Sequence, residues 1–243
     1  MPTALPDPLP AFTPPARRRL YLMRHSSVDY FLPDGSPLDP HSVPLSATGR
    51  AQADAAGRLF GEAGVRFDRV LVSGLPRTRE TAQRVLAAAG QSITPVVDTR
   101  LQEIRPGRLE NIPRDELHAA FTELFNNDPQ IEQHRFLGGE TVGELLDRIL
   151  PAFDELLADS GWQTVLLVLH GAVNRGLLSR ALCGQRTFFG RLEQAPGCIN
   201  VLDIGTQDIV VRTINLAPTQ WLQERERLTT MEKLLLQYTG KPV

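Results

Sequence analysis

Short apolar runs alternate with stretches of helical periodicity along most of the chain. An uninterrupted apolar run indicates a buried strand, whereas apolar positions three or four residues apart indicate a helix with one buried face. The runs predict strands at residues 20–23, 70–73, 93–97, 165–169, 200–204 and 209–214. The helical spacing predicts helices at residues 46–60, 76–89, 115–125, 141–157, 171–183 and 219–238.

Particular residues at and within these helices support or limit the predictions. Ser46 is a suitable N-cap for the first helix, and Gly61 and Gly64 are expected to end it. Pro76 fits the first turn of the second helix. Pro151 lies inside the fourth helix, which it is expected to kink or split. The apolar face of the first helix is predicted to comprise Ala47, Ala51, Ala55 and Leu59.

The alternation of strands and helices favours an α/β fold. We predict a three-layer αβα sandwich in which a mostly parallel central sheet is covered by helices on both faces. No internal repeat or second domain is indicated, so residues 17–243 are predicted to form a single domain. Residues 1–16 contain six prolines, which predict a disordered N-terminal tail. An alternative is that this tail is a proline-rich ligand for the aromatic groove of a partner.

Composition narrows the class of protein. The chain has 243 residues, of which 42% are hydrophobic and 22% charged, an ordinary globular balance. The net charge of −2 gives no general attraction to nucleic acid, and no apolar run approaches the length of a membrane span. No secretory signal is recognisable, and Cys183 and Cys198, interpreted as buried thiols, cannot form a disulfide framework. We therefore expect a cytoplasmic protein without nucleic-acid or membrane partners, in which a local positive cluster holds any anionic ligand.

Two histidines directly follow predicted strands. His25 follows the first strand and His170 follows the fourth, and ligands of such sheets bind beyond the carboxyl ends of the strands. Arg24 precedes His25, and Arg77 opens the helix after the second strand. The guanidinium groups of Arg24 and Arg77 can each offer paired donors to one phosphate. Arg79, in the same helix as Arg77, is interpreted as a solvated surface charge. The sequence therefore indicates a phosphate site at this edge of the sheet.

Six short motifs follow one another in a fixed order over about residues 18–200. They are Arg24-His25-Ser26, residues 44–53, residues 73–82, Leu101-Gln102-Glu103-Ile104 with Gly107, residues 138–141, and His170-Gly171-Ala172. Together they resemble the ordered motif set of the histidine phosphatase superfamily, also called phosphoglycerate mutase-like, and specifically its phosphatase branch.

The resemblance implies a phosphomonoester hydrolase that acts on a small phosphorylated metabolite through a phosphohistidine, without a cofactor or metal. His25 would attack phosphorus with an unprotonated nitrogen while its other nitrogen donates to a backbone carbonyl. Arg24, Arg77 and His170 would surround the phosphoryl oxygens. Glu103 would protonate the leaving oxygen and then deprotonate the attacking water, which requires a raised pKa.

Four positions depart from the pattern of this family. Ser26 stands where the family usually has glycine, and Val28 and Phe31 replace a hydroxyl residue and an asparagine that help to hold phosphate. Ala172 replaces the second of the two glycines that usually follow the histidine at position 170, and it is assigned to substrate binding. Because two donors are missing, Ser26 or Ser27 is predicted to substitute for them in phosphate binding.

Three alternatives remain open at this stage. A phosphoglycerate mutase-type transfer is disfavoured because the segment from Glu103 to Gly138 lacks the long insertion of the mutases. A weakly active or inactive relative with a binding role is the second alternative. The third is a metal site, whose ligand spacing matches no standard zinc pattern and whose neighbouring arginines would repel a cation. Its ligands would be His25, Asp29, Glu103 and His170.

Two segments outside the motifs, residues 29–43 and 105–137, are expected to set substrate specificity. Four phenylalanines in or beside them are candidates to line an apolar pocket, with core packing as the alternative for each. They are Phe31, Phe121, Phe125 and Phe136. Nothing in the sequence distinguishes a monomer from a homodimer.

Overall fold

The computed structural model describes residues 13–32, 36–122, 126, 128–220, 222–224 and 226–241. Most of the predicted N-terminal tail lies outside these residues. Residues 13–16 are exposed and belong to neither a helix nor a strand. Within the described ranges, no helix has both the length and the apolar character needed to cross a bilayer.

Six strands form one sheet in the spatial order β3-β2-β4-β1-β5-β6. The strands β1 to β4 are parallel, β5 is antiparallel to β1, and β6 is antiparallel to β5. The predicted mostly parallel sheet is therefore confirmed. The strands are β1 (Arg18–Arg24), β2 (Arg69–Val72), β3 (Val96–Val97), β4 (Thr164–Leu169), β5 (Ile199–Ile204) and β6 (Ile209–Leu216).

Helices cover both faces of this sheet, as predicted. Alternate residues of β1 enter two separate cores: Leu22 packs with α4 and α5, whereas Met23 packs with α1 and α2. This alternation follows from the two-residue period of a strand, so a strand buried on both faces is apolar throughout. The helices are α1 (Ala47–Glu62), α2 (Pro76–Ala88), α3 (Leu117–Thr122), α4 (Val142–Ala158), α5 (Gly171–Cys183) and α6 (Thr230–Tyr238).

Helix α1 begins where it was predicted to begin, but the predicted buried face is wrong. Ser46 caps the helix by accepting a hydrogen bond from the Gly49 amide at 3.1 Å. The buried face carries Phe60, whose ring packs at 5.1 Å from that of Tyr21, and Gly57, where a Cβ would lie 2.4 Å from the Val85 carbonyl oxygen. The buried face of α1 is thus determined by the Phe60 ring and by the close contact with α2 at Gly57, and not by the spacing of its alanines. Ala47, Ala51 and Leu59 are exposed and Ala55 is half-buried, while Gly61 lies inside the helix.

Other boundaries also differ from the predictions. Helix α4 is not split at Pro151, whose ring lies on the exposed face while Phe153 and its neighbours hold the helix against the sheet. Helix α6 is shorter than predicted because a capping box of Thr229 and Glu232 fixes its start. Strand β3 has two residues, and α3 begins at Leu117, two residues later than predicted. The predicted end of this helix falls on residues 123–125, which lie outside the described residues. Cys198 is buried, which raises the pKa of its thiol to about 12, but Cys183 is exposed, contrary to expectation.

Candidate active site

The carboxyl ends of three neighbouring strands bring the predicted charged residues together. Arg24 is the last residue of β1, and His25 follows it; His170 follows β4, the strand beside β1. Arg77 lies in the first turn of α2, directly after β2, which pairs with the other edge of β4. The two imidazole rings are 5.2 Å apart between centroids, and all four side chains are buried. Four residues chosen from the sequence thus form one cluster.

His25 is held as a neutral imidazole with one free ring nitrogen. Its Nδ1 lies 2.8 Å from the carbonyl oxygen of Ser26, so Nδ1 carries the proton and donates it. Burial lowers the pKa of His25 well below its usual value, and the positive charges of Arg77 and Arg24 lower it further. The Nε2 lone pair is therefore available for nucleophilic attack at neutral pH.

His170 is oriented by a buried hydroxyl. The Ser73 Oγ lies 2.7 Å from Nε2 of His170 and 3.1 Å from Thr78 Oγ1, and the Thr78 hydroxyl donates to the Leu75 carbonyl at 2.8 Å. Ser73 can accept a proton from Nε2 while it donates to Thr78, or it can donate to Nε2 and leave the ring proton on Nδ1. Burial, followed by the charge of Arg77, lowers the pKa of His170 well below its usual value. In the second tautomer the neutral ring carries an Nδ1–H that can donate to an anion, and Nδ1 has no partner among the described residues.

Within this cluster, three buried nitrogens have no hydrogen-bond partner among the described residues. They are Nε of Arg24, Nε of Arg77 and Nδ1 of His170. The Nη1 atoms of the arginines are anchored: that of Arg24 donates to the Gln194 carbonyl and to Thr230 Oγ1 at 3.0 Å. That of Arg77 donates to the carbonyl oxygen of Pro40. Buried donors without partners are uncommon, and a set converging from three strand ends suits a phosphoryl group.

The Glu103 carboxylate lies beside this cluster at the start of α5. It accepts hydrogen bonds from the Ile104 amide at 3.0 Å and from the Ala172 amide at 3.2 and 3.3 Å. A Cβ on Gly171 would lie 3.6 Å from both Glu103 Oε2 and Arg24 Nε, so the carboxylate and the guanidinium approach the same point. Because the Ala172 amide is engaged by Glu103, its predicted contact with phosphate stays a prediction.

A buried ion pair positions the loop that carries Glu103. The guanidinium of Arg148 donates to both carboxylate oxygens of Glu140, at 2.7 and 2.9 Å, and also to the carbonyl oxygens of Gln102 and Glu103. Glu140 in turn accepts from the Arg105 amide at 2.9 Å. The motif at residues 138–141 therefore affects the site indirectly, because Glu140 and Arg148 of α4 together hold the segment on either side of Glu103.

The loop after His25 is held by α1 and α2. The Ser26 amide donates to Thr81 Oγ1 at 3.1 Å, and the Ser27 amide donates to Gln52 Oε1 at 2.9 Å. A Cβ on Gly49 would lie 2.0 Å from the Ser27 carbonyl oxygen, so only glycine permits this approach. The Ser26 hydroxyl is buried beside Gly197, and phosphate binding by either serine stays a prediction.

Three polar residues at the site were not predicted from the sequence. Arg175 is buried one helical turn after Gly171 and pairs with Glu193 at 2.8 Å. The other carboxylate oxygen of Glu193 accepts a 2.7 Å hydrogen bond from Thr230, which also contacts Arg24. The spacing from Gly171 could have identified Arg175. Glu193 and Thr230 carry no local signal.

A cavity of about 250 Å³ opens from the arginines toward solvent. Phe31, Phe121 and Phe136 line it, and Phe121 also packs in a small cluster with Met231. Phe125 lies outside the described residues. Among the part of the chain that the structure describes, no group of three or more His, Cys, Asp or Glu side chains is arranged to hold a metal ion.

Comparison with known proteins gives a consistent family. The sequence model of the histidine phosphatase superfamily (branch 1) matches residues 20–217. A probable phosphoglycerate mutase GpmB of Salmonella paratyphi A is 32% identical over 167 residues, which are 68% of this chain and 74% of that protein. A 2,3-bisphosphoglycerate-dependent phosphoglycerate mutase of Bartonella tribocorum is 30% identical over 175 residues, 66% of this chain and 80% of the relative.

Solved structures share the fold. A putative alpha-ribazole-5′-P phosphatase from Escherichia coli superposes with a TM-score of 0.66 at 25% identity, covering 82% of this chain and 97% of that one. A mycobacterial glucosyl-3-phosphoglycerate phosphatase superposes with a TM-score of 0.62 at 24% identity, covering 82% and 98%. At that identity, the second likeness concerns the fold alone.

Proposed function

The chain belongs to the histidine phosphatase superfamily (branch 1), and from this premise we propose that it hydrolyses a small phosphomonoester through a phosphohistidine on His25. The resemblance predicted from six motifs is confirmed by the family match, and the protein is a phosphatase of this superfamily. What remains the proposal is the substrate class, the covalent intermediate and the role of each residue.

The observation that carries the proposal is a neutral, buried nucleophile beside three buried donors. Nε2 of His25 attacks phosphorus, and the bond from phosphorus to the leaving oxygen breaks. Arg24, Arg77 and His170 stabilise the charge on the equatorial oxygens through N–H groups that the protein leaves otherwise unpaired among the described residues. The donors are fixed before substrate arrives, so little reorganisation is required during the reaction.

Glu103 is the proposed acid and base. It gives a proton to the leaving oxygen as the phosphohistidine forms, and an alcohol departs. It then removes a proton from the water that attacks phosphorus, which releases phosphate and restores His25. The nearness of its carboxylate to Arg24 across Gly171 supports this assignment. Arg148 and Glu140 act as positioning residues because they hold the Glu103 loop.

A mutase is the second candidate, since relatives that are 32% and 30% identical to this chain are named phosphoglycerate mutases. A mutase must return the phosphoryl group to a sugar acid faster than to water. The segment between Glu103 and Gly138 is short, and the described cavity wall is mainly apolar, which favours the hydrolase. Single-turnover partitioning of phosphorylated protein between water and 3-phosphoglycerate distinguishes the two. Faster transfer to 3-phosphoglycerate would establish the mutase.

The direct test is phosphate release from p-nitrophenyl phosphate. We expect steady release by the wild type, loss of at least a thousandfold in His25→Ala, and a [³²P]-labelled, acid-labile protein adduct in the wild type only. His118→Ala is the matched control, because His118 is exposed and does not line the cavity. Equal release by His25→Ala and the wild type would refute the nucleophile. No release by either would leave a binding protein.

A further inference from the structure

The cavity above the phosphate cluster has two chemically different ends. At the inner end it is lined by Arg24, Arg77 and Arg175, together with the Glu103 carboxylate. The first two provide the unpartnered donors described above, so the phosphoryl group belongs at this end. The outer end therefore faces whatever group is attached to the phosphate.

The wall of the outer end is built from apolar side chains on four separate segments. Leu38 comes from the loop after β1, Phe121 from α3, Phe136 from the turn before α4, and Met231 and Leu234 from α6. Met231 and Leu234 pack with Phe121 in one apolar cluster. Side chains from distant parts of the sequence thus converge on one apolar surface that reaches the phosphate cluster.

Aromatic rings tie this wall together. The ring of Tyr238, at the end of α6, is stacked at 6.2 Å from Phe121, and its centroid lies 6.1 Å from that of Phe31. Ring pairs at these separations are favourable beyond the area that they bury. The apolar wall is consequently a connected part of the fold.

The size of the cavity suits a compact organic group. Its volume is about 250 Å³. An apolar protein cavity of about 150 Å³ is large enough to bind benzene. The space can accommodate a phosphoryl group at the arginines together with a ring or a short alkyl chain against the wall.

Resting on the proposed function, we propose that the substrate is a phosphomonoester whose leaving group is apolar: an aryl or alkyl alcohol that packs between Leu38, Phe121 and α6. A sugar or glycerate group packed against this wall would place hydroxyls or a carboxylate against carbon, where they lose hydrogen bonds to water without replacement. The cavity is also lined by the polar side chains of Tyr30, His41, Gln102 and Arg105, of which His41 and Arg105 are exposed. Arg105 makes 3-phosphoglycerate the most informative competitor.

The experiment compares esters of primary alcohols, because aryl phosphates are intrinsically more reactive and would confound selectivity. Rates are measured for ethyl, n-butyl and n-hexyl phosphate, for 3-phenylpropyl phosphate, for glycerol 3-phosphate and for 3-phosphoglycerate. We expect kcat/KM to rise about fourfold per added methylene until the wall is covered, the factor that corresponds to burying one CH₂ group. Glycerol 3-phosphate should fall at or below ethyl phosphate.

Two variants locate the effect, and one matched variant controls for general damage. Leu38→Gln and Leu234→Gln replace half-buried lining residues and should reduce the hexyl-to-ethyl ratio at least fivefold. Leu32→Gln makes the same change in the same loop as Leu38. Leu32 is 46% exposed and does not line the cavity, so its ratio should equal that of the wild type.

Failure of this inference is distinguishable from failure of the proposed function. A flat alkyl series, or a preference for 3-phosphoglycerate, with hydrolysis that still requires His25 would overturn the apolar leaving group and leave the hydrolase intact. If no ester is hydrolysed, the proposed function fails, and calorimetry with the matching alkylphosphonates still decides the inference. Tighter binding of hexylphosphonate than of ethylphosphonate supports the apolar wall, and equal binding overturns it.

Discussion

Replacing Glu140 by glutamine should destabilise the protein, although this residue lies outside the proposed chemistry. The Glu140 and Arg148 side chains are only 8% and 15% exposed, and two hydrogen bonds of 2.7 and 2.9 Å join them. Glutamine keeps the shape but turns an amide NH₂ group toward guanidinium donors. The guanidinium then keeps its charge without a carboxylate partner.

The magnitude follows from the environment of the pair. Breaking a fully buried ion pair by removing one partner costs about 3–5 kcal/mol. This pair is partly buried, and Arg148 retains hydrogen bonds to the carbonyl oxygens of Gln102 and Glu103, so we expect a smaller loss of about 2 kcal/mol. In a chain of this size each kcal/mol lowers Tm by roughly 2–4 °C, so Glu140→Gln should lower Tm by about 4–8 °C at pH 7. Since the Glu103 loop loosens, kcat should fall more than KM rises.

The pH dependence provides an independent check of the same reasoning. The guanidinium of Arg148 and the Arg105 amide overcome the effect of burial and hold the pKa of Glu140 below its usual value. A carboxyl group with a depressed folded-state pKa stabilises the protein fully above its unfolded pKa of about 4.3, and this contribution is lost as pH falls through the folded value. The Tm difference between wild type and Glu140→Gln should therefore be constant from pH 7 to 5.5 and shrink toward pH 3.

Thermal melts of a matched variant separate this effect from the mere loss of a carboxylate. Glu144 is 56% exposed, and its side chain closes the capping box of α4, a role that glutamine also performs. Glu144→Gln should change stability by less than about 0.5 kcal/mol, as surface substitutions usually do. If Glu140→Gln melts like Glu144→Gln, or if the difference persists unchanged at pH 3, the buried pair does not stabilise the loop.

Three further measurements address the nucleophile loop and the distal histidine. Ser73→Ala removes the hydroxyl that can donate to Nε2 of His170. Without that donor the ring proton is free to move to Nε2, and the hydrogen bond from Nδ1 to the charged phosphoryl group is lost. We therefore expect kcat to fall by about 10- to 100-fold, the worth of one hydrogen bond to a charged group, with KM nearly unchanged, and an unaltered kcat would contradict that role. NMR titration should find the His25 imidazole neutral down to a pH below its ordinary pKa, because burial and two arginines oppose protonation; a midpoint at or above the ordinary value would refute the electrostatic argument. Gly49→Ala should lower stability by at least about 2 kcal/mol in urea melts, since its Cβ would meet the Ser27 carbonyl oxygen at 2.0 Å, and a neutral result would exclude this close approach.

Local patterns in the sequence were enough to predict the mostly parallel sheet and the cluster of two histidines and two arginines at its edge. An apolar run followed directly by a histidine places that histidine at a strand end, and parallel strands end at the same edge. His25 and His170 could therefore be brought together from the sequence without knowledge of any contact. The same logic placed Arg77, because the turn between β2 and α2 is short.

What could not be predicted depends on contacts between distant parts of the chain. Ser73 acts on His170 from 97 residues away, and Thr230 reaches Arg24 from 206 residues away. No periodicity encodes such pairs. The buried face of α1 was misjudged for a related reason: it is decided by what Phe60 meets on the sheet and α2, not by the spacing within the helix.

The cavity roof formed by α6 has an evolutionary consequence. All six strands are complete by Leu216, and the family match ends at residue 217, whereas the cavity-lining residues Met231 and Leu234 follow later in the chain. Natural variation at these positions can change the surface that contacts the organic part of a ligand while the reaction centre keeps its geometry. Relatives with the same catalytic residues can thereby acquire different substrate preferences through a few residues near one end of the polypeptide.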